Sequence, residues 1–216
     1  MYSSRDRLRR VINVVVALVG IAVTAPLMLL VAIIIKLDSR GPVIYKQARV
    51  GLDRRGARGQ ALQQSRRQSD VGGRVFTIYK FRTMTTAPDH ERERWASKDD
   101  RRVTRAGRVL RATRIDELPQ LFNVLKGDMN IVGPRPEQPS IFAELRREVD
   151  GYHERQKVLP GITGWAQVNL GYDESIEDVK KKVELDLEYI GRRSATEDLA
   201  IMARTMPVMV FRRIWI

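Results

Sequence analysis

Two adjacent carboxylates, Asp116 and Glu117, stand just downstream of a cation, Arg111. Together with basic residues elsewhere that are suited to holding phosphates, such a pair could take part in phosphate chemistry. Asp116 fits the N-cap of a short helix, where its carboxylate can accept a backbone N–H, and Pro119 suits the first helical turn. The apolar stripe that follows at helical spacing consists of Leu118, Leu121, Phe122 and Leu125. A capped helix without chemistry is the alternative interpretation of this stretch taken alone.

A single arginine, Arg135, stands between Pro134 and Pro136. Prolines on both sides restrict the backbone, and they therefore fix the direction in which the guanidinium points. A planar guanidinium held in this way suits a phosphate or a carboxylate. A structural turn and an anion clamp both remain open as interpretations.

Two further cations, Lys80 and Arg82, emerge at the end of a predicted strand over residues 75–81. The aromatic and β-branched residues of this strand indicate that it is mostly buried, and its end is a place where a cation could meet a substrate. Asp186 lies beside the apolar stripe of a predicted helix over residues 174–190. A carboxylate at the edge of a buried face needs a partner, such as an arginine or a metal.

The composition limits the partners of the chain. Its 216 residues suffice for one domain with an additional element, and the absence of cysteine excludes a disulfide framework and thiolate metal sites. The formal charge of +13 favours nucleic acid, an anionic bilayer surface or phosphorylated substrates. Because the arginines are not interleaved with aromatic residues and no nucleic-acid-binding motif is present, we expect no nucleic-acid partner.

Residues 11–35 carry no charge and consist mostly of Val, Ile, Leu and Ala. A stretch of this length can span a bilayer, but Pro26 lacks the N–H that its helix needs, which predicts a kink or a break. The arms on either side, about 22 and 14 Å long, are each too short to cross. Basic residues flank both ends, and the positive-inside tendency places both ends in the cytoplasm. We expect a helix–break–helix that enters the membrane and returns, with a simple kinked span as the alternative.

The rest of the chain predicts a mixture of strands and helices. Residues 43–46 are typical of a short strand that pairs with residues 75–81, and residues 49–74 are typical of a basic loop. Helices are also predicted over residues 104–112, 137–157 and 199–216. The last of these combines apolar bulk with arginines, which suits a helix in the membrane interface.

Several long motifs in a fixed order carry a resemblance that covers nearly the whole chain. The matching segments are the membrane segment with Pro26 and residues 41–44, 79–84, 116–129, 133–136 and 160–168. On these motifs the chain resembles the monotopic phosphoglycosyl transferases, also called bacterial sugar transferases. Members of this family start glycan assembly on a polyprenyl phosphate carrier.

The resemblance implies an α+β, monotopic membrane protein at the cytoplasmic face of the bacterial inner membrane. Residues 1–40 would form a membrane-embedded re-entrant helix. Residues 41–216 would form a cytoplasmic catalytic domain that rests on the membrane interface, with a small β-hairpin, several amphipathic or interfacial helices and a basic loop insertion at residues 49–74. Inner-membrane lipids are then expected partners, and the resemblance also allows a homodimer.

The resemblance also implies a covalent mechanism. Asp116 would attack the sugar-linked phosphorus of a UDP-sugar and release UMP, and polyprenyl (undecaprenyl) phosphate would then take the phosphosugar. The product would start a capsule, exopolysaccharide or O-antigen. Mg²⁺ would be the cofactor, with Glu117 as its ligand, because substrate phosphates and hard oxygen ligands suit it. The residues expected to hold phosphate or nucleotide, or to support the site, are Arg111, Arg135, Lys80, Arg82, Pro134, Pro136 and Asp186.

Two other functions remain as alternatives. A non-enzymatic, basic, membrane-anchored scaffold would explain the charge and residues 11–35, but it gives no reason for Asp116 and Glu117 beside Arg111. A one-step transferase would use Asp116 as a base instead of a nucleophile. A phosphosugar trapped on the protein without lipid acceptor would separate these alternatives from the covalent mechanism.

Overall fold

The structure is a computed structural model that describes residues 4–53, 72–85, 100–171 and 175–211. Most of the predicted basic insertion, residues 54–71, lies outside the described residues, as do the last five residues of the chain. The described residues combine helices with small sheets, which confirms the expected mixture of α and β structure.

The elements are named here in chain order. The α-helices of the described residues are α1 (Ser4–Asp38), α2 (Arg105–Ala112), α3 (Gln120–Lys126), α4 (Pro139–Glu148), α5 (Trp165–Asn169), α6 (Ile176–Arg192) and α7 (Ala195–Phe211). The strands are β1 (Ile44–Val50), β2 (Val75–Phe81), β3 (Asn130–Val132) and β4 (Gly161–Thr163). Short 3₁₀ turns cover Ile115–Glu117 and Tyr152–Lys157.

The strands form two small sheets. β1 and β2 pair antiparallel, with Ile44 opposite Phe81 and Val50 opposite Val75, which confirms the predicted hairpin. β3 and β4 pair parallel, with Asn130 opposite Gly161. This second sheet was not predicted, because three-residue strands are too short to show a period of two.

Helix α1 runs through Pro26 without interruption. The break predicted at Pro26 is therefore absent, whereas a kink, the other predicted outcome, is compatible with a continuous helix. Proline removes a single backbone donor, and the remaining hydrogen bonds of the helix can continue on both sides of it. Two residues before Pro26, the hydroxyl of Thr24 donates to the carbonyl oxygen of Gly20 at 2.6 Å.

One face of α1 packs on the protein, and the other is exposed. Asn13 and Ala17 are buried in its first half, and Val31 and Ile35 in its second, each pair four residues apart. The exposed large apolar side chains of the helix, called the exposed apolar face below, are Leu8, Val11, Val15, Leu18, Val19, Val23, Leu27, Leu29, Leu30, Ile33, Ile34 and Leu37. With a mean hydropathy of 2.8 in its most apolar window, α1 is long and apolar enough to cross a membrane.

Both ends of α1 are tied to the same body of protein. Near the N-terminal end, Arg9 forms a buried ion pair with Asp198 of α7, with Nε 2.9 Å from Oδ2. One turn later, Asn13 accepts the backbone N–H of Ile131. Beyond the C-terminal end, the guanidinium of Arg82 donates to the carbonyl oxygen of Ser39 at 2.6 Å.

Two buried clusters connect α1 to the region that holds Asp116 and Glu117. The first consists of Ala17, Phe76, Ile78, Leu121, Val124, Met129, Ile131, Val132, Tyr189 and Ile201. The second consists of Val31, Ile35, Phe81 and Leu110. Ile115 and Leu118 pack against the second cluster, and they flank the two carboxylates directly in sequence. The carboxylates are therefore anchored on both sides to the second half of α1.

The predicted helix over residues 137–157 is wrong as a single element. Helix α4 ends at Glu148, and a 3₁₀ turn follows at Tyr152–Lys157. Gly151 between them has a φ of 72°, a left-handed conformation that glycine adopts readily and that ends a helical path. Helix α6 continues to Arg192, two residues past the end of the helix predicted over residues 174–190.

Candidate active site

Three elements bring the candidate side chains together: the end of β2, the 3₁₀ turn Ile115–Glu117, and the loop after β3. Arg114, which precedes the turn, has a φ of 56°, and this left-handed conformation redirects the chain after α2. The turn closes with the N–H of Glu117 on the carbonyl of Arg114 at 3.1 Å. Asp116 lies inside this turn, and Pro119 occupies the N-cap of α3. The predicted N-cap role of Asp116 is therefore wrong.

Glu117 is the anionic centre of the group. Its Oε1 accepts from the Nζ of Lys80 at 3.0 Å and from the guanidinium of Arg135 at 2.9 Å. Burial by itself raises the pKa of Glu117, but the positive charges of Arg135 and Lys80 outweigh it and hold the pKa below its usual range. Glu117 is therefore a carboxylate at any physiological pH, and the predicted grouping of Lys80, Glu117 and Arg135 matches the structure.

Asp116 is equally buried, with 8% of its surface exposed, but its contacts differ from those of Glu117. Within the described ranges, its carboxylate accepts no hydrogen bond and forms no ion pair. Burial raises its pKa to about 6, although the positive charges of Lys80, Arg135 and Arg111 oppose that rise. Asp116 is thus an unbonded carboxylate that is ionised at neutral pH and lies close to cations.

Arg111 belongs to the periphery of this group. It lies at the end of α2, and its positive charge lowers the pKa of Asp116. Arg114 has the same effect on Glu117. These two arginines surround the carboxylates with positive potential, which suits the approach of an anionic phosphate.

Arg82 is the predicted site residue that the structure places elsewhere. Its guanidinium donates to the carbonyl oxygens of Ser39 and Arg40, each at 2.6 Å, and to that of Ile35 at 3.3 Å. Ile35 lies in the last turn of α1, and Ser39 and Arg40 follow its end, so Arg82 ties the chain at the end of α1 to β2. The side chain is almost fully buried in this role, so it does not join Lys80 at the carboxylates.

The loop that carries Arg135 is held through three successive carbonyls. The oxygen of Pro134 accepts the N–H of Gly161 at 2.9 Å. The oxygen of Arg135 accepts from Arg155 at 3.1 Å, and that of Pro136 accepts from Arg49 at 2.9 Å. The restriction predicted from the two prolines is thus reinforced from outside the loop.

Asp186 has the arginine partner that its sequence position predicts. Its Oδ2 lies 2.7 Å from the Nε of Arg155, and both side chains are nearly fully buried. The pair lies behind the loop of Arg135 and does not contact Asp116. Sequence analysis missed Arg155, because it counted as one of many charges on a predicted amphipathic helix. The usable signal was Asp186, since a buried carboxylate requires a cation.

The donor set fits one mode of magnesium binding. No group of three or more potential metal-ligating side chains exists in the part of the chain that the structure describes. Mg²⁺ commonly uses one or two carboxylates together with substrate phosphates and water. Glu117 fits this mode, because only its Oε1 is hydrogen-bonded within the described residues. An all-protein magnesium site does not fit.

The arrangement combines the requirements of nucleophilic attack on phosphorus. Among the residues that the structure describes, none donates a hydrogen bond to the carboxylate oxygens of Asp116, and the cationic neighbours of Asp116 can neutralise a phosphate group before attack. Its neighbour Glu117 is held in place by two cations, and it would lose both contacts if its carboxylate moved to attack a substrate. Within the described residues, the structure therefore distinguishes Asp116, a carboxylate without a hydrogen bond, from Glu117, a carboxylate that two cations hold.

Comparison with known proteins gives consistent matches. The family described as bacterial sugar transferase matches residues 4–212. A UDP-N-acetylgalactosamine-undecaprenyl-phosphate N-acetylgalactosaminephosphotransferase of Aeromonas hydrophila is 42% identical over 92% of this chain and 43% of its own length. A UDP-glucose:undecaprenyl-phosphate glucose-1-phosphate transferase of Caulobacter vibrioides is 40% identical over 95% of this chain and 70% of its own length. A protein with the same name from Escherichia coli (strain K12) is 38% identical over 92% of this chain and 39% of its own length.

The lengths of these relatives differ from that of the chain. The chain spans less than half of the length of the Aeromonas hydrophila and Escherichia coli proteins. The family match over residues 4–212 includes the carboxylates, the cations and helix α1.

Proposed function

The chain belongs to the bacterial sugar transferase family, and from this membership we propose that it transfers a sugar 1-phosphate from a UDP-sugar to undecaprenyl phosphate, a polyprenyl phosphate. The names of the relatives supply the acceptor and the class of donor. The observation that carries the proposal is the contrast between Asp116, which is buried and unbonded, and Glu117, which two cations hold. This contrast is what a two-step transfer through an aspartyl intermediate requires.

In the first step Asp116 is the nucleophile. A carboxylate oxygen of Asp116 forms a bond to the sugar-linked phosphorus, and the bond from that phosphorus to the bridging oxygen breaks. UMP leaves with the electron pair of the broken bond. The enzyme then carries the phosphosugar as an acyl phosphate ester on Asp116.

In the second step the lipid acceptor takes the phosphosugar. A phosphate oxygen of undecaprenyl phosphate attacks the same phosphorus, and the carboxylate of Asp116 leaves. The product is an undecaprenyl diphosphate sugar, which can start the assembly of a capsule, an exopolysaccharide or an O-antigen. Division into two displacements lets a soluble donor and a lipid acceptor use the site in turn.

The neighbouring residues have separate roles in this proposal. Glu117 would hold Mg²⁺, which supplies charge neutralisation to the diphosphate when it is bound. Arg135 and Lys80 keep Glu117 in place and oppose the pKa rise of Asp116. Arg111 lies at the cationic approach to the carboxylates, where it can attract phosphate oxygens.

We infer that the protein is monotopic and lies on the cytoplasmic face of the bacterial inner membrane, with residues 1–40 embedded and residues 41–216 outside. The support is the attachment of both ends of α1 to one body, through Arg9 with Asp198 and through Ser39 with Arg82. A simple crossing would place these two attachments on opposite sides of the bilayer. The exposed apolar face between them is available to lipid.

The packing of the carboxylates supports access from the membrane. Ile115 and Leu118 flank Asp116 and Glu117 in sequence. Both pack against the buried cluster that includes Val31 of α1. A lipid-borne phosphate that approaches along α1 would therefore arrive next to the phosphosugar. The geometry fits an acceptor that never leaves the bilayer.

The test is to trap the intermediate. We expect purified enzyme with Mg²⁺ and a panel of UDP-sugars, but without lipid acceptor, to gain the mass of one phosphosugar at Asp116 and to release UMP. Asp116→Asn should abolish both. Asp150→Asn, the same change at an exposed aspartate, is the matched control and should retain both.

Other outcomes would point to the alternatives. Near-normal release of UMP from Asp116→Asn would remove Asp116 as the nucleophile. UMP release that requires lipid acceptor, without any adduct, would indicate a one-step transfer with Asp116 as a base. A wild-type protein that releases no UMP with any UDP-sugar would leave the non-enzymatic scaffold as the remaining interpretation.

A further inference from the structure

The guanidinium of Arg155 has three hydrogen-bond acceptors on three different parts of the protein. Its Nε donates to Oδ2 of Asp186 at 2.7 Å, and one terminal nitrogen donates to the hydroxyl of Tyr152 at 2.8 Å. The other terminal nitrogen donates to the carbonyl oxygen of Arg135 at 3.1 Å. Because a guanidinium is planar and rigid, the positions of these acceptors are fixed relative to one another.

Arg155 cannot act as a substrate ligand in this structure. Only 4% of its surface is exposed, and 2% of that of Asp186. Its charge is matched by Asp186, and its guanidinium carbon lies 4.9 Å from the centre of the Tyr152 ring. Any influence of Arg155 on the reaction must therefore pass through a residue that it contacts.

The residue with access to the reaction is Arg135. Its backbone carbonyl accepts from Arg155, and its own side chain ends at Oε1 of Glu117, 2.9 Å away. The side chain of Arg135 is about one third exposed, so protein packing alone does not determine its position. The direction of this side chain therefore depends on how firmly its backbone is held.

The prolines beside Arg135 increase this dependence. Pro134 and Pro136 have no N–H, so the loop can donate few backbone hydrogen bonds of its own. It is held instead through its carbonyls, by Gly161, Arg155 and Arg49. Of these three donors, Arg155 is the one that contacts Arg135 itself, whose side chain binds Glu117.

We propose that Arg155, oriented by Asp186, is a positioning residue that fixes the loop of Arg135 and so keeps the Arg135 guanidinium on Glu117. The inference rests on the proposed function, because it assigns Arg155 to the same site. It connects helix α6 to the carboxylates through a chain of Asp186, Arg155, Arg135 and Glu117.

A double-mutant cycle tests whether Arg155 acts through Arg135. Arg155→Lys keeps a positive charge for Asp186 but cannot reach three acceptors, and we expect it to lower kcat/KM for UMP release roughly 10- to 100-fold. Arg135→Gln should also lower it. In the Arg135→Gln background, Arg155→Lys should cost less than about threefold, because the guanidinium that it positions is already absent.

The chain offers a matched control in a second buried triad. Arg9 pairs with Asp198 and donates to the hydroxyl of Tyr189, as Arg155 does with Asp186 and Tyr152. Arg9→Lys should lower thermal stability without lowering kcat/KM per folded enzyme. A loss of activity in Arg155→Lys that Arg9→Lys reproduces would overturn the proposal, and so would equal losses from Arg155→Lys in the wild-type and Arg135→Gln backgrounds.

A measurement without turnover separates this proposal from the proposed function. The placement of the Arg135 guanidinium can be followed without substrate by NMR of its Nε–H signal, with Arg135→Gln to assign the signal. Arg155→Lys should shift or broaden this signal, because the backbone carbonyl of Arg135 loses the donor that holds it, whereas Arg9→Lys should leave the signal unchanged. A changed signal in an enzyme that releases no UMP would reject the proposed function alone, whereas UMP release with an unchanged signal would reject the positioning role alone.

Asp186→Asn keeps the test decisive if Arg155→Lys does not fold. It retains an acceptor oxygen for Arg155 but removes the charge that orients it. The same cycle with Arg135→Gln should show the same non-additive loss. Additive losses would overturn the proposal.

Discussion

At the scale of single residues, the two neighbouring carboxylates are distinguished by their partners and not by their burial. Asp116 and Glu117 are each 8% exposed, so desolvation disfavours the ionised form of both. Glu117 has two cations within 3.0 Å, and its pKa falls. Asp116 has cations nearby but none bonded to it, and its pKa rises to about 6. Titratable neighbours with opposite shifts indicate a division of labour between a reactive and a fixed group.

This division predicts the effect of Lys80→Met on pH dependence. In the proposed mechanism Asp116 attacks only when it is ionised, so UMP release should rise with pH through an apparent pKa of about 6 in the wild type. Lys80 opposes the pKa rise of Asp116, and its removal should raise that pKa further. The acidic limb of kcat/KM, measured between about pH 5 and about pH 9, should therefore move to higher pH.

Lys126→Met is the control for this prediction. Lys126 donates to the hydroxyl of Tyr79, next to Lys80 in sequence, and it does not contact the carboxylates. Its variant should keep the wild-type acidic limb. A limb that stays in place in Lys80→Met as well would contradict the electrostatic account of Asp116.

At the scale of elements, the end of β2 contributes two cations, Lys80 and Arg82, that contact different parts of the protein. Lys80 contacts Glu117, while Arg82, two residues later, contacts the backbone carbonyls of Ser39 and Arg40 just after α1. One short segment thus supplies both a site cation and a tie to the end of helix α1. Any shift of β2 would change both together.

Arg82→Met tests the assignment of Arg82 to the helix end. Loss of its hydrogen bonds to the carbonyls of Ile35, Ser39 and Arg40 should lower the free energy of unfolding by roughly 2–4 kcal/mol. The KM for the UDP-sugar should stay near the wild-type value. Thermal unfolding and steady-state kinetics provide the two measurements.

Arg40→Met is the matched control, because the side chain of Arg40 is exposed. It should change neither quantity appreciably. A raised KM with unchanged stability in Arg82→Met would return Arg82 to the substrate site, where the sequence had placed it.

The elements also show what the sequence could and could not predict. The pairing of β1 with β2 was predictable, because both segments are rich in β-branched and aromatic residues. The position of Arg82 was not, since its partners are backbone carbonyls of a distant helix and leave no side-chain pattern. The turn that holds Asp116 was mistaken for a cap, because Asp before a Pro-containing helix start satisfies the same rule. The contacts of Arg135 followed from local restriction by two prolines, whereas those of Arg155 depend on tertiary packing.

At the scale of the whole molecule, α1 is bound to the rest of the protein at both of its ends and along one face. The predicted apolar segment was visible from composition, but the residues that tie it down, Arg9 and Asn13, were hidden among charged and apolar neighbours. Both are buried, at 7% and 0% exposure. Buried polar residues in such a segment indicate protein contact instead of lipid contact.

This attachment predicts the outcome of topology mapping. The chain contains no cysteine, so Ser4→Cys and Arg40→Cys each introduce a unique label site. A membrane-impermeant maleimide should label both positions from the same side of sealed vesicles. Labelling after detergent treatment controls for reactivity, and labelling from opposite sides would restore the simple span.

The ties at Arg9 and Asn13 have a practical consequence for preparing the protein. Deletion of residues 4–38 to obtain a water-soluble fragment would remove the counter-charge of Asp198 and the hydrogen bond that Arg9 donates to the hydroxyl of Tyr189. It would also leave the N–H of Ile131 without its acceptor and open a gap where Ala17 packs. Helix α1 is thus also part of the folded core. We expect its deletion to yield an aggregated protein instead of a soluble truncated enzyme.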